Sequence, residues 1–102
     1  MTYSAGTLSD GQVAATWGAV YTATGPTLVR SIEIYNTGST VETVAVGITR
    51  SGGTRRQIRQ VLLSANEAAS FDEVYSLSTG DSLDAQTTTA TQVDYVVMGA
   101  AS

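Results

Sequence analysis

Histidine, cysteine and lysine are absent from this sequence of 102 residues. The chain therefore lacks the usual general base near neutral pH, the thiolate nucleophile and the Schiff-base amine. Imidazole and thiolate, two leading protein ligands for transition metals, are missing as well. The composition favours a binding or structural protein over an enzyme. We expect no catalytic residues, no metal, no cofactor and no small-molecule substrate.

Charged side chains are also scarce, at 14% of the residues against roughly 25% in an average soluble protein. The formal net charge of −4 argues against nucleic acid or a membrane surface as the partner, since both attract basic surfaces. No apolar run approaches the roughly 18 residues of a membrane span, and no signal peptide is visible. We therefore expect synthesis and folding in a cytoplasm.

The few charges are unevenly distributed along the chain. Residues 1–60 carry all five arginines and three acids, whereas residues 61–102 carry six acids and no base. Opposite charges on two faces would favour head-to-tail contact between copies. Alternatively, the two halves interleave in one sandwich and neutralise each other within the molecule. The sequence leaves both alternatives open.

Short segments of alternating apolar and polar residues dominate the chain. In residues 28–35 the apolar Ile32 and Ile34 flank Glu33, which is the period-two pattern of a half-buried strand. Turns rich in Gly, Ser, Thr and Asn separate such segments about every 8 to 13 residues. The further predicted strands cover residues 13–22, 41–50, 56–63, 69–75, 82–87 and 93–98.

This spacing predicts an all-β chain that folds as a single antiparallel β-sandwich of seven or eight strands. We expect a Greek-key or jelly-roll type of sandwich, with the domain over residues 13–102. Residues 1–12 are polar and contain glycine, so they are predicted as an N-terminal arm or as a short first strand.

Residues 55–75 permit two interpretations. The apolar residues in the first part of this segment recur with helical spacing, and residues 64–67 match a helix capping box. The same residues also fit a strand over 56–63, a turn over 64–67 and a second strand. We favour the two strands, because predicted hairpins lie on both sides.

Four of the five arginines flank one predicted hairpin: Arg50, Arg55, Arg56 and Arg59. Arginine forms bidentate pairs with carboxylates and is enriched at protein interfaces. The cluster therefore predicts a docking patch for acidic residues on a neighbouring subunit. A solvated hairpin with scattered cations is the alternative.

Four aromatic residues suggest another kind of binding site: Trp17, Tyr21, Tyr35 and Tyr75. If exposed, they could stack on sugar rings, which would indicate a carbohydrate-binding module. Aromatic side chains in a small sandwich more often belong to the core.

The order of several short motifs resembles that of a known class of proteins. The motifs are Asn-Thr-Gly (36–38), Ser-Gly-Gly-Thr (51–54), Val-Leu-Leu (61–63), Asn-Glu (66–67), Leu-Ser-Thr-Gly-Asp-Ser-Leu (77–83) and Val-Asp-Tyr-Val-Val-Met-Gly (93–99). With its motifs in this order, the chain resembles small β-sandwich structural proteins of tailed-bacteriophage virions. These occur as head decoration (cement) proteins or as head–tail accessory proteins.

The resemblance implies a non-enzymatic protein located in the virion after synthesis in the host bacterial cytoplasm. It implies stabilisation of the phage head by binding at junctions between capsid subunits. The implied partners are the major capsid protein or other virion subunits, together with further copies of the chain, with a trimer favoured. We expect the arginine hairpin and the first 12 residues, including Tyr3 and Leu8, to make these contacts. A carbohydrate- or receptor-binding module of a phage tail or fibre is the alternative.

Overall fold

The computed structural model describes residues 4–102. Alternating β-branched and polar residues place most of them in strands. The strands are β1 (Ser4–Gln12), β2 (Gly18–Thr22), β3 (Thr27–Asn36), β4 (Glu42–Thr49), β5 (Arg56–Leu63), β6 (Ala68–Phe71), β7 (Tyr75–Leu77), β8 (Ser82–Gln86) and β9 (Val93–Ala101). No helix occurs within residues 4–102, and the prediction of an all-β chain is confirmed.

The strands form two antiparallel sheets packed together. The first sheet has the order β1–β9–β3–β6, with β7 also paired to β3, and the second has the order β2–β8–β4–β5. The C-terminal strand β9 lies between β1 and β3, and β8 lies between β2 and β4. This confirms the predicted antiparallel β-sandwich, whereas its Greek-key or jelly-roll type stays a prediction.

Side-chain alternation in the central strands builds the core between the sheets. On β3, Val29, Ile32 and Ile34 are at most 3% exposed. Burying one such side chain stabilises the fold by about 1.5–3 kcal/mol, so the cluster dominates the stability of the sandwich. Its members are Val13, Ala23, Val29, Ile32, Ile34, Val44, Val46, Ile48, Leu63, Leu77, Leu83, Ala85, Val93 and Val97.

The described part of the N-terminal segment, residues 4–12, belongs to the first sheet. Residues 4–12 form β1, which pairs with β9 at eight positions, with a register shift at Leu8. The side chain of Leu8 is half-buried and packs against the core. The segment was predicted as an arm or as a short first strand, and its described part is a strand.

Two predicted strands have different bounds in the structure. The strand predicted over residues 13–22 begins only at Gly18. Val13 lies before it, with a buried side chain and an N–H that donates to the Val93 carbonyl at 2.8 Å. The strand predicted over residues 69–75 is divided into β6 and β7. These two strands pair with different parts of β3, on either side of a shift in its register with β9.

The ambiguous segment folds as two strands joined by a turn. The Ser64 N–H donates to Glu67 Oε1 at 2.9 Å, which is one of the hydrogen bonds of a capping box. Here it closes the turn between β5 and β6, where Asn66 has a φ of 59°. The local signal for a helix start is thus used in a turn, because both flanking segments gain more by joining a sheet.

The Asn-Thr-Gly motif ends β3 with a buried asparagine. Asn36 Nδ2 donates to the Thr40 carbonyl at 2.7 Å and to the Leu63 carbonyl at 3.1 Å, and Oδ1 accepts from the Gly38 N–H at 2.9 Å. A buried amide needs such partners, since an unsatisfied one costs about 1–3 kcal/mol. Asn36 therefore fixes the β3–β4 turn against the end of β5.

The outermost strands carry features that hinder the addition of another strand. On β1, the register with β9 shifts at Leu8. The pairings of β2 and β5 each contain a register shift, and the outer strand pairing with β3 is split into β6 and β7. Bulges and short strands limit edge-to-edge pairing. The broad faces of the sandwich are thus better suited to association than its edges.

Strands β3 and β9 approach closely at Gly99, where a Cβ would overlap the carbonyl oxygen of Leu28. We expect Gly99→Ala to lower the free energy of unfolding by about 2–4 kcal/mol, because the β3 backbone must move. Urea unfolding followed by circular dichroism measures this change. The control is Gly18→Ala, whose Cβ would meet nothing nearer than the Thr16 carbonyl at 3.9 Å. Equal unfolding midpoints for the two variants would contradict the prediction.

Candidate functional site

Three of the four arginines in the predicted docking patch form ion pairs within the molecule. Arg50 pairs with Asp81 at 3.0 Å, Arg55 pairs with Asp84 at 3.0 Å, and Arg59 pairs with Glu73. Each pair joins an arginine of residues 1–60 to an acid of residues 61–102. The two oppositely charged halves of the chain therefore neutralise each other in part within the sandwich. A docking role for these arginines stays a prediction.

Asp84 lies on the outer face of the second sheet and is 2% exposed. Its carboxylate accepts hydrogen bonds from Thr49 Oγ1 at 2.5 Å, Ser82 Oγ at 2.8 Å and Arg55 Nε at 3.0 Å. The Arg55 guanidinium also lies 4.7 Å from the centroid of the Trp17 ring. Arg55 thus covers one face of the tryptophan that could otherwise stack on a sugar.

The carboxylate of Asp81 is held in a similar way at the end of the arginine hairpin. It accepts hydrogen bonds from the Ser51 N–H at 2.8 Å, the Ser78 N–H at 2.9 Å and Arg50 Nη1 at 3.0 Å. Those from Ser78 and Ser51 contribute most to a pKa of Asp81 below its ordinary value. For Asp84, burial alone raises the pKa, but hydrogen bonds from Thr49, Ser82 and Arg55 outweigh it and lower the pKa.

The remaining predicted site residues have different positions. Arg56 begins β5, is exposed and makes no ion pair within residues 4–102. Leu8 packs against the core, and Tyr3 lies outside the described residues. Tyr21 and Tyr75 are also packed against the core. Tyr35 differs from them, because it is 41% exposed on the outer face of the first sheet.

A groove of about 440 Å³ surrounds Tyr35 on that face. Strand pairing sets its geometry: Tyr35 lies between Asp94 of β9 and Ala68 of β6, and in the next row Glu33 lies between Val96 and Ser70. Directly opposed side chains on one sheet face lie roughly 5 Å apart. We call this site the acidic groove and define it by Glu33, Tyr35, Ala68, Ser70, Asp94 and Val96.

Uncompensated negative charge borders the acidic groove. Glu33 and Asp94 are exposed, and Asp10 of β1 pairs in register with Val96 from the other side. Three carboxylates therefore surround Val96, and none of them makes an ion pair within the described part of the chain. A second depression of about 350 Å³ lies between Asp10 and Asp94 and continues the face across β9.

Apolar side chains lie between and beside these carboxylates. Val96 is half-buried, and Met98, two residues further along β9, is 40% exposed. An apolar surface edged by carboxylates suits the aliphatic stem and charged end of an arginine or lysine. The Tyr35 ring can add a cation–π contact. The groove can thus bind a basic side chain of a protein partner, while no group of three or more acids in residues 4–102 is arranged to hold a metal ion.

The outer face of the second sheet has a different groove, of about 330 Å³. Uncharged polar side chains line most of it: Thr43, Gln57, Gln60, Gln86 and Thr88. Gln57 Nε2 donates to Gln60 Oε1 at 3.1 Å, and Gln86 Nε2 donates to the Ala15 carbonyl at 3.2 Å. We call it the neutral groove, which offers amide and hydroxyl groups without charge.

Comparison of the chain with known protein families, with curated proteins and with solved structures found no match. The resemblance to phage virion proteins therefore stays a prediction from the order of the motifs. Within residues 4–102, no helix long and apolar enough to cross a membrane was found.

The lowered pKa values of the two aspartates predict how stability depends on pH. A carboxyl with a lower pKa in the folded state contributes stability that is complete above its unfolded pKa of about 3.9. This contribution is lost as the pH falls through the lower folded pKa. We expect Asp84→Asn to reduce stability at neutral pH by about 1–3 kcal/mol, since charged hydrogen bonds are lost.

Urea unfolding of this variant and of the wild type, measured from about pH 7 to about pH 2, tests the prediction. The wild type should lose stability below about pH 4, and Asp84→Asn should lose less over the same interval. Asp94→Asn removes a charge that has no partner in the described chain, and it serves as the control at neutral pH. Parallel pH profiles for wild type and Asp84→Asn would contradict a contribution from this carboxylate.

Proposed function

We propose that the protein is a non-enzymatic structural subunit that binds a larger protein assembly through the outer face of its first sheet. The motif order points to a tailed-phage virion, and a capsid decoration protein at junctions between capsid subunits is the specific role that we propose. The observation that carries the proposal is the acidic groove, which combines an exposed tyrosine with carboxylates that have no cation beside them.

The contrast between this face and the rest of the molecule supports the proposal. Elsewhere in the described residues each acid has a partner: Asp81, Asp84 and Glu73 pair with arginines, whereas Glu42, Glu67 and Asp72 accept hydrogen bonds. Near Tyr35, by contrast, the negative charge and the apolar surface are both available to a partner. Complementary charge steers association and excludes wrong partners more than it adds affinity, so the carboxylates would select a basic surface and Tyr35 would supply contact area.

The mechanism needs binding alone. A protein that binds the assembled form of a shell but not its separated subunits stabilises the shell by mass action. Many copies on one lattice make modest individual contacts effective together. A small sandwich that buries its core between two sheets meets this need, because its docking face is held by regular strands rather than by loops.

The test is sedimentation of the protein with high-mass particles from lysates of its source cells, measured by quantitative mass spectrometry. We expect the wild type in the particle fraction and Tyr35→Ser at least about tenfold less bound, equivalent to about 1.4 kcal/mol. Leu62→Ser is the matched control, since Leu62 is a 65% exposed apolar residue of β5, in the second sheet. Wild type confined to the fraction of free 10.6-kDa protein would contradict the proposal.

The neutral groove favours a second candidate function, the binding of a carbohydrate by a tail or fibre module. Its amides and hydroxyls can both donate and accept hydrogen bonds, which suits an uncharged polyhydroxylated ligand. A glycan array probed with the purified protein tests this function. Binding that Gln60→Ala reduces at least about fivefold (about 1 kcal/mol) would support it, and an array without signal would contradict it.

A further inference from the structure

We propose that the acidic groove of one copy binds Arg56 of a second copy, so that the chains associate head to tail. This inference rests on the proposed role of the first sheet as a docking face and names the partner of that face. The partner that it names is a neighbouring copy of the chain, so that within the larger assembly each copy fills the groove of the next.

The groove requires a positively charged occupant. Asp10, Glu33 and Asp94 surround Val96, and no cation within residues 4–102 pairs with any of them. Covering this surface with an uncharged or acidic partner would leave carboxylates without solvent or a counter-charge, which is costly. A protein partner must therefore present at least one arginine or lysine here.

The chain itself offers two such groups. Of its five arginines, Arg30 and Arg56 make no ion pair in the described structure. Arg56 begins β5, directly after the β4–β5 hairpin tip of Ser-Gly-Gly-Thr (51–54) and Arg55. Arg56 is exposed at this end of the molecule. A surface that carries an unpaired cation complements a groove bordered by carboxylates.

Charge also argues against the symmetric alternative, in which two acidic grooves face each other. That arrangement would bring six carboxylates together against the two copies of Arg30, which lies on β3 three residues before Glu33. Like charges placed opposite one another destabilise a contact. Contact between the groove and the Arg56 end avoids this repulsion, because the two surfaces have opposite signs.

The molecule is large enough for such a contact. Its extents are 44 × 27 × 19 Å, so the broad face with the groove can hold the roughly 800 Å² per partner that a stable interface buries, while the second copy must add residues beyond the hairpin tip. The contact joins two different surfaces and is therefore heterologous. Repetition of it closes a ring if the rotation between copies allows, and otherwise extends a filament.

Analytical ultracentrifugation of the full chain at low salt, over a range of concentrations, tests the inference. We expect masses above the 10.6 kDa of one chain, decreasing at high salt because the contact is electrostatic. Arg56→Glu should weaken self-association at least about tenfold. Arg30→Glu is the matched comparison, since it makes the same charge change on the face that carries the groove, and it should retain or strengthen association instead of weakening it.

A charge exchange completes the test. Combining Glu33→Arg with Arg56→Glu restores opposite charges across the contact, and we expect association to recover to within about threefold of wild type. A wild type that is monomeric at every concentration would overturn the inference. Dependence on Arg30 instead of Arg56, or no recovery in the double variant, would also overturn it.

These results are distinguishable from the outcome for the proposed function. A monomeric protein that still sediments with particles would remove the head-to-tail contact and leave the structural role intact. A protein that self-associates through Arg56 without binding particles would support the contact and contradict the structural role. Circular dichroism of each variant confirms that a change in association is not a loss of folding.

Discussion

The antiparallel pairing of β3 with β9 is the interaction on which both the core and the docking face depend. The two strands are in register at nine positions. Alternation along them sends Ile32, Ile34 and Val97 into the core and Glu33 and Val96 to the outer surface. A slip of one residue would exchange the two faces and expose the core. The apolar core therefore also fixes the spacing of the carboxylates outside.

The fold was largely predictable from the sequence, because strands leave a local signature. Alternation in residues 28–35 identified β3 and placed Glu33 on the surface. Position 13 was different. Valine is a residue type that favours strands, yet Val13 enters the core from the segment that connects β1 and β2. The same local reasoning found the turn at 64–67 but could not decide alone between a helix start and a hairpin, since the Ser64–Glu67 hydrogen bond serves both.

The site was less predictable, since its residues come from strands that are distant in sequence. Arg50 and Asp81 are 31 residues apart, and Arg55 and Asp84 are 29 residues apart, so nothing local indicated that they pair. The acidic groove likewise forms only because β9 returns to lie beside β3. The uneven charge distribution along the chain was the available signal. It was compatible both with two opposed charged faces and with neutralisation inside the sandwich, and it did not indicate which charges would remain unpaired.

The exposed turn between β5 and β6 divides the chain into two parts of opposite net charge. Residues 1–63 hold five arginines and three acids, a net charge of +2, whereas residues 64–102 hold six acids, a net charge of −6. The second piece supplies the central strands β8 and β9, and all three ion pairs cross the division. Two polypeptides separated at this turn attract each other electrostatically before they fold. The sandwich is thus suited to fragment complementation, in which each half completes the other's sheets.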